Sequence, residues 1–133
     1  MRFCVVGAGA MGGVYGLSLI EAGYKVNFLD VNRDHVDVVK ENGFRLSGIG
    51  KQKVHKINIS DNANDFKNSA DVVLFHAHTT GTKSAARSAA IVLKPDGYAI
   101  TLQNGIGNVE ALLQVLGAKR VVGGISYHSA ALE

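Results

Sequence analysis

The chain reads as a doubly wound α/β protein built on a parallel sheet, and three observations carry that reading. Short β-branched and apolar runs alternate with helical stretches along its 133 residues, the pattern of strands joined by right-handed crossovers. The run Asp71-Val72-Val73-Leu74-Phe75 is nearly continuous in its apolar character, as befits a strand covered on both faces. The first crossover opens on Gly7-Ala8-Gly9-Ala10-Met11-Gly12, a G-x-G-x-x-G spacing lodged between a strand and a helix.

Taken in order, Arg2 to Val6 is a buried strand, and Ala10 to Ala22 is a helix with apolar residues at helical spacing through Met11, Val14, Tyr15, Leu17, Leu19 and Ile20. Lys25 to Leu29 is the second strand, and Arg33 to Asn42 the second helix, ended by Gly43. Phe44 to Leu46 and Val54 to Ile59 are two short strands, followed by a polar stretch, Asp61 to Ser69, with a helical turn or two. After the apolar strand ending at Phe75, an alanine-rich helix spans Thr80 to Leu93 and is closed by Pro95 and Gly97. Tyr98 to Leu102, Val109 to Leu116 and Arg120 to Ile125 complete the alternation as strand, helix and strand.

The glycine spacing has a mechanical cause. Gly7 permits the tight turn out of the strand, Gly9 lets backbone N–H groups approach a pyrophosphate, and Gly12 lets the helix pack closely on the strand. The helix N-terminus then presents unpaired N–H groups and a partial positive charge to the phosphates, so Gly7, Ala8, Gly9, Ala10, Met11 and Gly12 are the expected cofactor-binding residues of the turn. This marks a Rossmann-type NAD(P)-binding domain spanning residues 1–133. Asp30 ends the second strand 23 positions after Gly7, close to the spacing at which a carboxylate accepts from the adenosine ribose. It opposes a 2′-phosphate and so favours NAD(H). Asp30 has a second reading, as the cap of the helix that begins near Asn32. Arg33, three residues on, is a guanidinium able to clamp a phosphate, which keeps NADP(H) in play.

Composition sets the outer bounds. With 47% hydrophobic residues the chain is long enough for one sizeable core and short for two. Its net charge of +3 comes from scattered basic residues, which suits anionic ligands and argues against nucleic acid. Residues 3 to 18 are uncharged but hold five glycines, which argues against a signal peptide or membrane span and for a cytoplasmic protein. Cys4 is the only cysteine, so there is no intramolecular disulfide and no zinc framework.

In a doubly wound sheet the ligand lies across the carboxyl ends of the strands. Those ends carry Gly7 to Gly12, Asp30, His76 to Thr80, Gln103 to Gly107 and Ser126 to His128. Asn104 both donates and accepts hydrogen bonds, and the glycines beside it allow close approach; an ordinary Asn-Gly turn fits the same residues. His76 and His78 share one strand face, a spacing metal sites use, but no third ligand is evident and no metal is expected. His78 is a candidate for the cofactor cleft, and plain polar positions at a strand terminus fit the same histidines.

Gly7-Ala8-Gly9-Ala10-Met11-Gly12-Gly13, Glu41-Asn42-Gly43-Phe44-Arg45-Leu46, Asp71-Val72-Val73-Leu74, Gln103-Asn104-Gly105-Ile106-Gly107-Asn108-Val109-Glu110 and Val121-Val122-Gly123-Gly124-Ile125-Ser126, in that order, resemble the N-terminal, nucleotide-binding half of the ketopantoate reductase (2-dehydropantoate 2-reductase) family. The resemblance implies hydride transfer from a reduced nicotinamide to a small 2-oxo acid, with Asn104 beside nicotinamide and substrate, Gln103 next to it, and His78 standing where members usually have a lysine. Val31 stands where an arginine commonly receives the NADP 2′-phosphate. The family's general-acid lysine and substrate-binding glutamate belong to a C-terminal helical domain, so the chain is expected to be a fragment of a two-domain protein, inactive alone. A homodimer is compatible with this reading, and so is a non-catalytic module that senses NAD(H) or binds a partner.

Overall fold

A computed structural model describes residues 1–46, 53–76, 81–102 and 107–124. Its elements are β1 (Arg2–Val6), α1 (Ala10–Glu21), β2 (Lys25–Leu29), α2 (Arg33–Asn42), β3 (Phe44–Leu46), β4 (Lys53–His55), β5 (Asn58–Ser60), β6 (Ala70–Phe75), α3 (Thr82–Val92), β7 (Leu93–Thr101), α4 (Asn108–Leu116) and β8 (Val121–Gly123). Six strands form a parallel sheet in the order β5-β2-β1-β6-β7-β8, while β3 and β4 form a separate antiparallel pair. The Rossmann-like, doubly wound parallel sheet expected from the sequence is the sheet observed.

Alternation along the central strands sorts the core into two layers. Cys4, Val6, Val73 and Phe75 face one way, onto Ala85, Ala86 and Ala89 of α3 and Leu112 of α4. Val5, Val72 and Leu74 face the other, onto Leu17 of α1 and Val36 and Val39 of α2. Burial on both faces is what the apolar reading of β1 and β6 requires. The small side chains of α3 let that helix sit close to the sheet, and Gly13 and Gly16 of α1 leave room for the rings of Phe44 and Phe28. Cys4 is wholly buried, and burial pushes its thiol up to about 12, so it fills space and is chemically inert.

The structure corrects several boundaries. The expected strand from Val54 to Ile59 is two strands, because β4 pairs with β3 while β5 crosses to pair with Asn27, Phe28 and Leu29 of β2. The alanine-rich helix stops at Val92, and β7 begins at once with Leu93. Pro95 is tolerated there because the ladder between β6 and β7 is irregular from Ala70 to Val72 and regular pairing resumes at Tyr98. Arg120 belongs to a 3₁₀ turn before β8, where its guanidinium donates to the carbonyls of Gly97 and Lys94 at 2.7 and 2.8 Å. Ile125, expected to end the last strand, lies outside the described residues. None of the described helices is long and apolar enough to cross a membrane.

At the amino edge of the sheet, the Arg2 backbone N–H donates to Asp71 Oδ2 at 2.7 Å and Lys94 Nζ donates to Oδ1 at 3.1 Å, tying β1, β6 and β7 together. These hydrogen bonds, that of Arg2 first, hold the Asp71 carboxyl below the usual aspartate range. A native pKa below the unfolded one stabilises the fold above the unfolded value, about 3.9, and that contribution is lost as pH falls through the native value. Thermal unfolding from about pH 6 down to about pH 2.5 is therefore expected to show a shallower acid decline for Asp71→Asn than for the parent chain. Superimposable acid limbs would refute the linkage.

Candidate functional site

Three strand ends meet in register at the carboxyl edge: Val6 of β1 lies between Leu29 of β2 and Phe75 of β6. Strand order reverses at β1, since the chain builds outward to β2 and β5 on one side and to β6, β7 and β8 on the other. In such sheets ligands bind in the crevice outside that reversal, and the glycine turn between β1 and α1 borders it.

The glycines of the turn serve different ends. Gly7 has φ of +98°, a conformation side chains resist, and donates its N–H to the Leu29 carbonyl at 2.8 Å. A Cβ on Gly12 would fall 2.1 Å from the Gly7 carbonyl oxygen and 3.0 Å from Val5 Cγ1, so the packing of α1 on β1 forbids a side chain there. Gly9 is a contrast. Its φ is −82°, and a Cβ on it would meet nothing within 4 Å. Neither backbone nor packing calls for glycine at position 9, which leaves open space beside a helix start. Gly9 is the N-cap of α1, no side chain caps it, and the first turn has no acidic residue. The first N–H groups of a helix have no intrahelical partner, and here the protein offers them no side-chain acceptor from the cap.

The peptide groups flanking Ala8 are held from two directions. Asp30 Oδ2 accepts from the Ala8 N–H at 2.8 Å, and His35 Nε2 donates to the Ala8 carbonyl at 2.7 Å. Because a carbonyl only accepts, the His35 proton sits on Nε2. His35 in turn rests edge-on against Phe44. Sequence reasoning missed His35: it lies 27 residues from Ala8, and only the packing of α2 beside the turn brings them together. Asp30 is not the cap of α2. That role belongs to Asn32, whose Oδ1 accepts from the His35 N–H at 3.1 Å, while Asp30 Oδ1 accepts from the Asn32 N–H at 2.9 Å. Each Asp30 oxygen is thus engaged once and keeps further acceptor capacity.

Arg33 opens α2 with a highly exposed side chain, 4.0 Å from Asp61 Oδ2. An exposed contact of that length holds a guanidinium weakly, so Arg33 is not committed to Asp61. His76 follows β6, and its N–H donates to the Val6 carbonyl at 2.7 Å. Its ring stacks on Tyr15 at 5.3 Å, and burial lowers its pKa, keeping it neutral at pH 7. Thr82 Oγ1 donates to Asn108 Oδ1 at 2.9 Å, joining the starts of α3 and α4 in a buried contact. It braces the two helices that follow the segments carrying His78 and Asn104. His78, Gln103 and Asn104 themselves lie outside the described residues, as do Ser126, Tyr127 and His128. Among the described residues no three His, Cys, Asp or Glu side chains group as metal ligands.

Comparison with known proteins places this geometry in a family. The family model described as "Ketopantoate reductase PanE/ApbA" matches residues 3–133. The 2-dehydropantoate 2-reductase of Pyrococcus abyssi is 31% identical over all of this chain and 42% of its own length, and that of Halobacterium salinarum is 32% identical over 98% of this chain and 43% of its own. Among solved structures, the ternary structure of D-mandelate dehydrogenase with NADH and anilino(oxo)acetate superposes with a TM-score of 0.91 at 26% identity, covering all of this chain and 43% of that one. The PanE/ApbA family ketopantoate reductase from Ralstonia eutropha JMP134 gives 0.79 at 30% identity, over 94% of this chain and 40% of that one. The chain thus spans less than half the length of the curated relatives it matches. With the match running from the first strand to the last residue, the chain belongs to the ketopantoate reductase PanE/ApbA family.

Proposed function

We propose that these 133 residues form the cofactor-binding part of an oxidoreductase that transfers hydride from NAD(P)H, with NADH favoured, to the keto carbon of a small 2-oxo acid. The observation that carries this reading is the open space beside Gly9, at an uncapped helix start, next to an Ala8 held by Asp30 and His35. A pyrophosphate needs that combination: room for its oxygens, N–H groups directed at them, and a backbone that does not reorganise when charge arrives. The names of the relatives agree, and D-mandelate dehydrogenase was solved with NADH and an oxo acid derivative.

In this reading the dinucleotide, when bound, supplies the hydride, and Gly7, Ala8, Gly9, Ala10, Met11 and Gly12 cradle its phosphates. Asp30 accepts from the ribose hydroxyls with the lone pairs left over from Ala8 and Asn32. A 2′-phosphate would set like charge against that carboxylate, which is the basis for favouring NADH; Arg33 is the residue able to offset it. Asn104, with Gln103 beside it, orients the reacting groups, and His78 borders the same cleft. A neutral amide on a strand end suits orientation, where small misplacements cost rate steeply. The proton for the developing alkoxide comes, by the resemblance, from the family's C-terminal domain, so these residues bind cofactor without turning over an oxo acid.

Calorimetric titration tests the cofactor reading. NADH is expected to bind more tightly than NADPH, and Asp30→Ala to narrow the gap; tighter binding of NADPH by the unmodified chain would overturn the preference and make Arg33 the phosphate clamp. The glycines should separate cleanly. Gly9→Val is expected to keep the parent melting temperature and lose dinucleotide binding, whereas Gly12→Ala loses on the order of 1–3 kcal/mol of stability through overpacking. A Gly9→Val chain with parental affinity would place the ligand elsewhere. Removing the hydrogen bond to the Ala8 carbonyl in His35→Ala is expected to weaken NADH binding about tenfold, a cost of about 1.4 kcal/mol, with the NADH-to-NADPH ratio unchanged. An unchanged affinity would mean the turn holds its shape without the imidazole.

A further inference from the structure

One concavity outlined by the described residues lies at the end of the sheet opposite the glycine turn. It has a volume of about 620 Å³ and forms where β1, β2 and β5 begin, between the end of α2 and the 3₁₀ turn Ala63–Phe66. Buried Ile59 and Phe66 lie among its walls. Four cationic side chains line it: Arg2, Lys25, Lys40 and Lys67. None of the four forms an ion pair among the described residues, in contrast to Lys53 and Lys94, which pair with Glu21 and Asp71. The single carboxylate in the lining, Asp65, already accepts from Ser60 Oγ at 2.5 Å. Four positive charges against one negative leave +3 around one concavity, equal to the formal excess of the whole chain.

We propose that this concavity is a second anion site, separate from the dinucleotide crevice, which takes a small phosphorylated molecule carrying two or more negative charges. The charge pattern selects that class. Like charges around one concavity repel one another, and an anion that enters relieves that repulsion. A monoanion meets one cation, whereas a phosphate dianion or pyrophosphate spans several at once, as a strongly positive concavity favours. A specific donor is present as well. Asn58 Nδ2 donates to Asn27 Oδ1 at 2.9 Å, which fixes the Asn27 amide so that its own NH₂ is free to donate to a phosphate oxygen. The volume falls within the range of small-molecule pockets and exceeds what a bare inorganic anion fills, so there is room for a phosphate that carries a small polar organic group.

The proposal is independent of the cofactor reading, and residue-resolved NMR keeps them apart. At constant ionic strength the 133-residue chain is titrated with inorganic pyrophosphate and, separately, with ribose 5-phosphate, following the amides of Asn27, Asn58 and Ser69 against those of Gly9 and Ala10. Saturable shifts at the first group are expected with both probes. In the double variant Lys25→Gln, Lys67→Gln the dissociation constant at this group should rise at least about fivefold, since two of four attracting charges are gone. NADH binding by that variant should match the parent. Shifts confined to Gly9 and Ala10, a linear drift no different from that produced by chloride, or an unaltered constant in the double variant would each overturn the site.

Discussion

The contact on which the rest depends is the approach of α1 to β1 at Gly12. With only hydrogen where a Cβ would stand 2.1 Å from the Gly7 carbonyl oxygen, the helix begins directly above the strand it follows. That proximity fixes the turn between them: Gly7 adopts positive φ and hydrogen-bonds to Leu29, which locks the turn to β2 as well as β1. Ala8 is then carried into reach of Asp30 at the end of β2 and of His35 on α2. A turn of a few residues is thereby held by two strands and two helices. Rigidity at this place matters because preorganised N–H groups stabilise an anion without the cost of reorienting.

The two edges of the sheet differ in electrostatic character for separate reasons. At the carboxyl edge the positive potential comes from backbone, an uncapped helix start with no acid in its first turn, and it is short-ranged and directional. At the amino edge it comes from side chains, with Arg2, Lys25, Lys40 and Lys67 around one concavity and Asp71 withdrawn into bonds with Arg2 N–H and Lys94. The first arrangement suits an anion placed at one defined position, as the proposed cofactor reading requires. The second acts through net charge and weakens with salt.

Elements with a strong local signal were legible from residues alone. The glycine spacing, the apolar β6 and the helix α2 with its Gly43 terminus fall where pattern puts them. The misread region was Val54 to Ile59, where one apolar run serves two sheets; nothing local tells a chain to leave β3 and join β2, since the decision lies in the long-range pairing of Asn58 to Ser60. The extension of β7 through Pro95 was hidden likewise, because a proline is compatible with a strand only at an irregularity that its partner creates. Within the candidate site, Gly7 to Gly12 and Asp30 stand together at the edge as their spacing implied. His35 did not announce itself, since an isolated histidine on a polar helix carries no signal until α2 is packed beside the turn.

That packing changes what Asp30 means. By sequence it is a ribose acceptor or a helix cap; in the structure it holds the Ala8 and Asn32 N–H groups, one on each carboxylate oxygen, before any ligand arrives. A carboxylate is the group that suits this position, because both oxygens accept and each retains a second lone pair. An asparagine would turn one of the two acceptors into a donor facing an N–H, so the turn would lose a bond along with the charge. On the proposed reading of Asp30 as the ribose acceptor, cofactor choice and loop geometry are therefore coupled through one side chain. A chain that exchanged Asp30 for a residue friendlier to a 2′-phosphate would need a new acceptor for Ala8, and His35, already holding the Ala8 carbonyl as a donor, cannot supply it.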